Sequence, residues 1–128
     1  MFNKVLFSFF LVLLLITLGS FLITDYFKKS TSKLCGSLNQ VENTLGASSI
    51  NGKSKALTDF RAQWQASRDT WAILIDHMEI DNIEESLIRL EEYVKLSDTS
   101  QALPQLAVLR EQIAHIYEKE RLQLKNIL

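Results

Sequence analysis

Two histidines and one cysteine are the side chains of this sequence with the greatest potential for metal binding or nucleophilic chemistry. His77 is followed by Glu79, and His115 has one glutamate four residues before it and another three residues after it. Carboxylate-bridged di-iron bundles instead place a histidine three residues after a glutamate, on two facing helices. Cys35 has no histidine beside it to activate the thiol. The sequence therefore predicts no catalytic residue, no metal site and no cofactor, and we expect that the protein is not an enzyme.

Both histidines are expected to lie on exposed helix faces. With about 100° of rotation per residue, His115 lies far from the apolar stripe centred on Ile113, and His77 lies similarly far from the stripe through Trp64. Exposed polar residues fit contact with another chain better than a sequestered metal. We therefore treat His77, Glu79 and His115 as candidates for an interaction surface, with a small polar ligand site as the alternative.

A second candidate polar site joins Arg68 and Glu120. Glu120 lies close to the centre of an apolar stripe, between Ile116 and Leu124, so a cation should neutralise it. Arg68 flanks two tryptophans and is predicted to reach Glu120 across the bundle. Such an ion pair would fix the register of the helices, and the alternative is contact with a ligand or a partner.

The elements that must position these residues are helices. Apolar residues recur at steps of three and four, the spacing of helices that bury one face. The predicted segments are a tail at 1–4, a transmembrane anchor at 5–24, a membrane-proximal helix at 25–45 and a bundle domain at 54–128, with helices at about 54–78, 82–97 and 101–126. The fold class is therefore predicted to be all-α: an N-terminal transmembrane helix that extends into an up-down antiparallel bundle of three to four helices.

Large apolar side chains supply the predicted core. In the helix predicted at 54–78, Phe60, Trp64 and Trp71 are expected to be core anchors, and Met78 continues the same stripe. An anchor in an interface with a partner is the alternative role for the two tryptophans. Further stripe positions are expected in the flanking helices: Phe27, Leu34, Leu38, Val41, Leu45, Ile80, Ile83, Leu87, Leu90, Val94, Leu106, Leu109, Ile113, Ile116, Leu124 and Ile127.

The helix predicted at 82–97 has an acidic outer face. Asp81 and Glu84 have the spacing of an N-cap and its reciprocal partner, so we expect the helix to begin there. Its outer glutamates are Glu84, Glu85, Glu91 and Glu92. Arginine or lysine follows two of them at the supportive spacing of four, so we interpret this face as solvated. Pro104 is expected in the first turn of the last helix.

The composition excludes several classes of protein. Fourteen Lys and Arg oppose 15 Asp and Glu, a net charge of −1, so no broad basic surface for nucleic acid is expected. Four glycines, one proline and one cysteine argue against a Gly-rich phosphate loop or a disulfide framework. With 47% apolar residues, the chain has enough material for a folded core.

The apolar run at residues 5–24 contains no charge and would give about 30 Å of helix, the thickness of the hydrocarbon core. A cleaved signal peptide is the alternative, although its apolar region is normally about 7 to 15 residues long. Lysines after the span favour a cytoplasmic bundle, whereas a signal-anchor with a short tail exports the domain on its C-terminal side. We expect a single-pass protein of the cell membrane with an extracytoplasmic bundle.

Several of these features occur together in a known family. The stretch Phe60–Leu124, with its Trp64–Trp71 spacing and the segments DHMEID (76–81) and HIYEKE (115–120), resembles a bacterial family of small membrane-anchored proteins known only as a domain of unknown function. The resemblance implies a short span followed by a helical domain, with no activity, cofactor or catalytic residue to carry over. Members of this family are associated with genes that encode polytopic membrane proteins. The resemblance therefore implies a polytopic membrane protein as a partner.

The sequence thus favours a non-enzymatic accessory protein that docks on another membrane protein. The alternative is a ligand- or metal-sensing helical domain in which Arg68, Glu120 and the histidines line a polar site. The expected partners are the bilayer, a polytopic membrane protein and a second copy of the chain, since a span with a heptad-bearing extension can form a coiled coil.

Overall fold

The computed structural model describes residues 1–46 and 50–127, which form helices and contain no strand. In chain order, the helices are α1 (Phe2–Leu45), α2 (Ile50–Leu74), α3 (His77–Lys95) and α4 (Thr99–Ile127). The predicted all-α fold class is confirmed. Part of the connection between the helices predicted at 25–45 and 54–78 lies outside the described residues, as do the side chains of Leu124 and Ile127.

The four helices form an antiparallel bundle. α1 packs against α2 and α4, and α3 packs closely against α4 but less extensively against α2. Arg110 of α4 donates to Asn39 Oδ1 of α1 at 2.8 Å, which fixes the register of these two helices. The ring of Trp71 in α2 lies 5.2 Å from the ring of Phe27 in α1, so α2 ends where the packed part of α1 begins.

α1 has two halves with opposite environments. Its apolar side chains from Phe2 to Leu22 are exposed, and none of its most apolar 18-residue window is buried. The second half buries five of its apolar side chains in the bundle: Phe27, Leu34, Leu38, Val41 and Leu45. Within the described residues, α1 is the one helix that is long and apolar enough to cross a membrane.

The core follows the predicted stripes. Phe60, Trp64 and Trp71 are completely buried, and the two indole rings meet edge to face at 5.6 Å. Each later helix contributes further buried side chains: Ile80, Ile83, Leu87, Leu90, Ala102, Leu106, Leu109, Ile113 and Ile116. Met78 is an exception to the predicted stripe because it belongs to α3 and is 69% exposed.

The start of α3 differs from the prediction at Asp81. Asp76 is the N-cap, with an extended backbone, and its side chain accepts a hydrogen bond from the Met78 N–H at 2.9 Å. Asp76 and Glu79 have the same three-residue spacing as Asp81 and Glu84, so the spacing alone could not select between the two pairs. α2 already ends at Leu74, which makes the earlier aspartate the one that meets unpaired N–H groups.

The connection from α3 to α4 is a closed helix-terminal motif. The N–H of Asp98 bonds to the carbonyl of Tyr93 and the N–H of Ser97 to that of Val94, while Ser97 adopts a left-handed φ of 58°. Asp98 Oδ1 then accepts from the Gln101 N–H at 3.2 Å. α4 consequently begins at Thr99, and Pro104 lies inside the helix rather than in its first turn as predicted.

Candidate functional site

A carboxylate between α2 and α3 organises the first polar cluster. Glu84 Oε1 accepts a hydrogen bond from Trp64 Nε1 at 2.6 Å and lies 3.4 Å from Arg68 Nε. Its other oxygen, Oε2, accepts from Arg61 Nη1 at 3.2 Å. Arg61 also pairs with Glu91, one heptad beyond Glu84. We call these five residues the Glu84 cluster.

Helical spacing explains why the Glu84 cluster forms. Its α2 members, Arg61, Trp64 and Arg68, follow each other at steps of three and four and therefore share one face. Burial alone would lower the pKa of the Arg61 guanidinium, but its bonds to Glu91 and Glu84 outweigh this effect and raise the pKa. The cluster therefore keeps Arg61 cationic and joins α2 and α3, which pack less extensively against each other than the other neighbouring helices do.

The Glu84 cluster corrects two predictions. Arg68 pairs with Glu84 and not with Glu120, so the predicted ion pair across the bundle is wrong. The side chain of Glu84 is only 22% exposed, so it does not belong to a solvated face. Glu85 does belong to that face, since it is exposed and pairs with Arg89 on its own helix. Burial of the tryptophan N–H explains the difference, because an indole donor inside a core needs an acceptor.

The second polar cluster lies where the start of α3 meets the end of α4. Lys119 Nζ donates to Glu79 Oε1 at 3.1 Å. His77 and His115 are both exposed, as their wheel positions predicted, and His115 precedes Lys119 by one turn on the same face of α4. We call His77, Glu79, His115, Lys119 and Glu120 the α3–α4 corner. It unites four of the five polar candidates from the sequence and leaves out Arg68.

Lys119 is the member of the corner that the sequence did not indicate. Its hydrogen bond to Glu79, together with the charge of that carboxylate, raises the pKa of the ammonium group. Partial burial raises the pKa of Glu120, and the negative charge of Glu79 adds to this effect while Lys119 opposes it. Lys119 therefore pairs with Glu79 and not with its neighbour Glu120. The charged form of Glu120 consequently remains unfavourable in the folded state.

Glu120→Gln is expected to raise the melting temperature of the full chain at pH 7. The pKa of Glu120 is higher in the folded state than in the unfolded state. Protonated Glu120 therefore favours folding at low pH, and this stabilisation is lost as the pH rises through the pKa of the folded state. The gain from Glu120→Gln should therefore vanish below about pH 4. The melting temperatures of both chains in detergent micelles, at pH 7 and below about pH 4, measure this gain. Glu118→Gln is the control, since it breaks only an exposed pair with Arg121. An equal gain at both pH values would contradict the prediction.

A groove of about 500 Å³ opens between the start of α2 and the end of α3. Leu57 and Val94 supply apolar walls, and the charged residues of the lining are Lys53, Arg61, Glu91, Glu92 and Lys95. Arg61 is already neutralised by the Glu84 cluster. The groove therefore offers a surface for an elongated amphiphilic molecule at the end of the bundle far from the apolar half of α1.

Metal-binding side chains are dispersed over the structure. Among the described residues, no group of three or more His, Cys, Asp or Glu lies close enough to hold a metal ion. Cys35 is half-buried on α1, and this burial raises the pKa of its thiol, although Arg110 acts in the opposite direction. A thiol in that state is a weak nucleophile at neutral pH.

Comparison with known proteins adds a family without an assigned activity. No match was found among curated proteins or among solved structures. A family model described as a domain of unknown function, DUF4363, matches residues 21–127. That range contains both polar clusters and all of the bundle core, and it begins inside the apolar half of α1. The chain therefore belongs to the DUF4363 family.

Proposed function

We propose that this protein is a membrane-anchored, non-enzymatic interaction protein whose bundle docks on another membrane protein through the α3–α4 corner. The continuity of α1 carries the proposal. One uninterrupted helix has an exposed apolar half and a half that is packed into the bundle, so a position in the bilayer would fix the position of the bundle. No nucleic acid and no cofactor take part.

The chemistry of the exposed half of α1 supports an anchor. An uncharged helix of about 30 Å matches the hydrocarbon core, and a large exposed apolar surface is costly in water. Two of its hydroxyl groups are also satisfied within the helix: Thr17 donates to the carbonyl of Leu13 and Thr24 to that of Ser20, each at 2.9 Å. Internal satisfaction of polar groups is a requirement of the lipid environment.

The position of the α3–α4 corner supports a membrane-protein partner. Arg110 contacts Asn39, and α4 runs antiparallel to α1, so Lys119 lies level with residue 30 or so of α1. This is about 10 Å beyond the last uncharged residue of the span, Thr24. The extramembrane loops of a polytopic protein occupy this layer, and a second copy of this chain is the other partner that we consider.

The side of the membrane is part of the proposal. We place the bundle outside the cytoplasm because an anchor with a short N-terminal tail is commonly inserted in that direction. Cys35 is a poor reporter of sidedness because it is half-buried. A cysteine at the exposed position Leu96, introduced into a Cys35→Ser chain, is better: an impermeant maleimide should label it in intact cells. Labelling only after permeabilisation would show that the bundle lies in the cytoplasm and would contradict the proposed orientation.

Photo-crosslinking in cells tests the docking proposal. A photoreactive residue placed at His77 and one placed at His115 should capture the same multi-span membrane protein. A photoreactive residue at Lys95, which is exposed at the far end of α3, should not capture it. Lys119→Glu, which places two carboxylates together at Glu79, should reduce the crosslink several-fold while the chain remains folded. Equal capture from all three sites, or no capture from the corner, would contradict the proposal.

Ligand sensing is the second candidate function, and the groove between α2 and α3 is the observation that favours it. Its apolar walls and rim lysines fit an amphiphilic anion such as a fatty acid. A ligand of the native state must stabilise it, so at about one hundred times its dissociation constant it should add about 2.7 kcal/mol. Unchanged melting across a panel of fatty acids and divalent metals would exclude this function.

A further inference from the structure

The bundle begins before the apolar run of α1 has ended. Ile23 belongs to the uncharged segment 5–24, yet it is partly buried and packs against the core cluster. Tyr26 and Phe27 follow within one turn, and Phe27 is almost completely buried. No length of free helix therefore separates the proposed span from the bundle, and the near end of the bundle must meet the bilayer surface.

Contacts identify which residues form this near end. Trp71 Nε1 donates to Ser30 Oγ at 3.0 Å, so the last residues of α2 lie level with the start of the packed half of α1. Ile73 lies beyond Trp71 in the direction of the span, and the turn into α3 follows at once. The pair between Lys119 and Glu79 brings the end of α4 to the same level.

This end exposes three large apolar side chains. Ile73 is 83% exposed, Met78 is 69% exposed and Leu122 is 51% exposed. Among the described residues beyond the apolar half of α1, Ile73 is the most exposed large hydrophobic side chain. An apolar side chain at this level can leave water by entering the interfacial layer, which is about 5–7 Å thick on each side of the hydrocarbon core.

Basic side chains lie on one side of this end. Lys28, Lys29 and Lys33 follow each other on one exposed face of α1 and, with Asp25 and Ser32, line a shallow depression of about 400 Å³. Lys29 is paired with Asp25 at 2.9 Å. Residues 28 and 29 lie about 6–8 Å beyond Thr24, at the outer edge of the interfacial layer, and Lys33 lies about 14 Å beyond Thr24. Lysine side chains at this height reach phosphate groups while their stems stay along apolar surface.

We propose that the near end of the bundle is a lipid-contact surface, in which Ile73, Met78 and Leu122 enter the interfacial layer and the lysine face of α1 contacts lipid phosphates. The bundle thereby contacts the bilayer surface directly, and its orientation relative to the membrane is restricted. This inference rests on the proposed anchoring of α1. It also fixes the level of the α3–α4 corner relative to the bilayer, since Met78 lies between two residues of that corner.

Spin labels on single cysteines test the proposal in the full chain, with Cys35→Ser as the common background. Ile73→Cys reports on the near end, and Leu96→Cys is a matched control because Leu96 is 71% exposed at the far end. Leu14→Cys reports on the centre of the span. Each chain is reconstituted into vesicles of phosphatidylcholine and phosphatidylglycerol. The rate of collision with oxygen is then compared with that for a water-soluble nickel complex.

The label at Ile73 should show an oxygen-to-nickel ratio several-fold above that at Leu96, because oxygen concentrates in lipid and the nickel complex does not. A ratio equal to that at Leu96, with a high ratio at Leu14, would overturn the lipid contact and leave the anchor intact. Shielding of Ile73 from both reagents would mean contact with a second copy and would also overturn it. A low ratio at Leu14 would refute the anchor itself.

Discussion

Trp71→Ala is expected to destabilise the bundle by about 3–5 kcal/mol, the usual cost of truncating a buried tryptophan. Trp71 is completely buried, and its ring packs against Phe27 at 5.2 Å and Trp64 at 5.6 Å. Its indole nitrogen also donates to Ser30 of α1. The substitution therefore leaves a cavity and removes a hydrogen bond between α1 and α2. Unfolding of the full chain by urea in detergent micelles, followed by circular dichroism, measures the effect.

Ile73→Ala is the matched control for Trp71→Ala. Ile73 lies two residues away on the same helix but is 83% exposed, so in micelles its truncation should change the unfolding free energy by about 0.5 kcal/mol or less. Trp71→Phe should fall between the two, because it keeps an aromatic ring beside Phe27 and loses the hydrogen bond to Ser30. Similar unfolding free energies for Trp71→Ala and Ile73→Ala would show that the tryptophan serves an interface and not the core.

The core was predictable because burial on a helix is a local pattern. Steps of three and four place Phe60, Trp64 and Trp71 on one face whatever the helix packs against, and the structure buries all three. Exposure of the two histidines followed from the same rotation per residue. The continuation of α1 to residue 45 was also predictable, because its apolar stripe reaches that far and the segment contains no proline or strong turn signal.

Pairing between helices was not predictable because it depends on which faces meet. Arg68 was expected to pair with Glu120 of α4, but in the bundle it is Glu84 of α3 that lies within reach of its guanidinium. The hydrogen bond from Trp64 to Glu84 needs both helices in register, and nothing in either segment specifies that register alone. Lys119 was overlooked for the same reason, since its partner Glu79 lies on another helix. The competing cap at Asp81 shows that local spacing is also degenerate.

The carboxylate of Glu84 holds α2 and α3 together, and we expect Glu84→Gln to cost about 2–3 kcal/mol. The substitution keeps the shape and an acceptor for Trp64 Nε1, but it removes the charge that faces Arg61 and Arg68. Glu85→Gln is the neighbouring control: it breaks an exposed pair with Arg89 and should change the free energy of unfolding by about 0–1 kcal/mol. Urea unfolding of both chains in micelles measures the difference.

A double-mutant cycle decides whether the charge of Glu84 acts through Arg61. If it does, Glu84→Gln should cost less in an Arg61→Met chain than in the native chain, because Met keeps the apolar stem but has no charge for Glu84 to pair with. Groups in one network typically show a coupling of about 0.5–3 kcal/mol. A coupling close to zero would mean that Glu84 stabilises the bundle through Trp64 and Arg68 and not through Arg61.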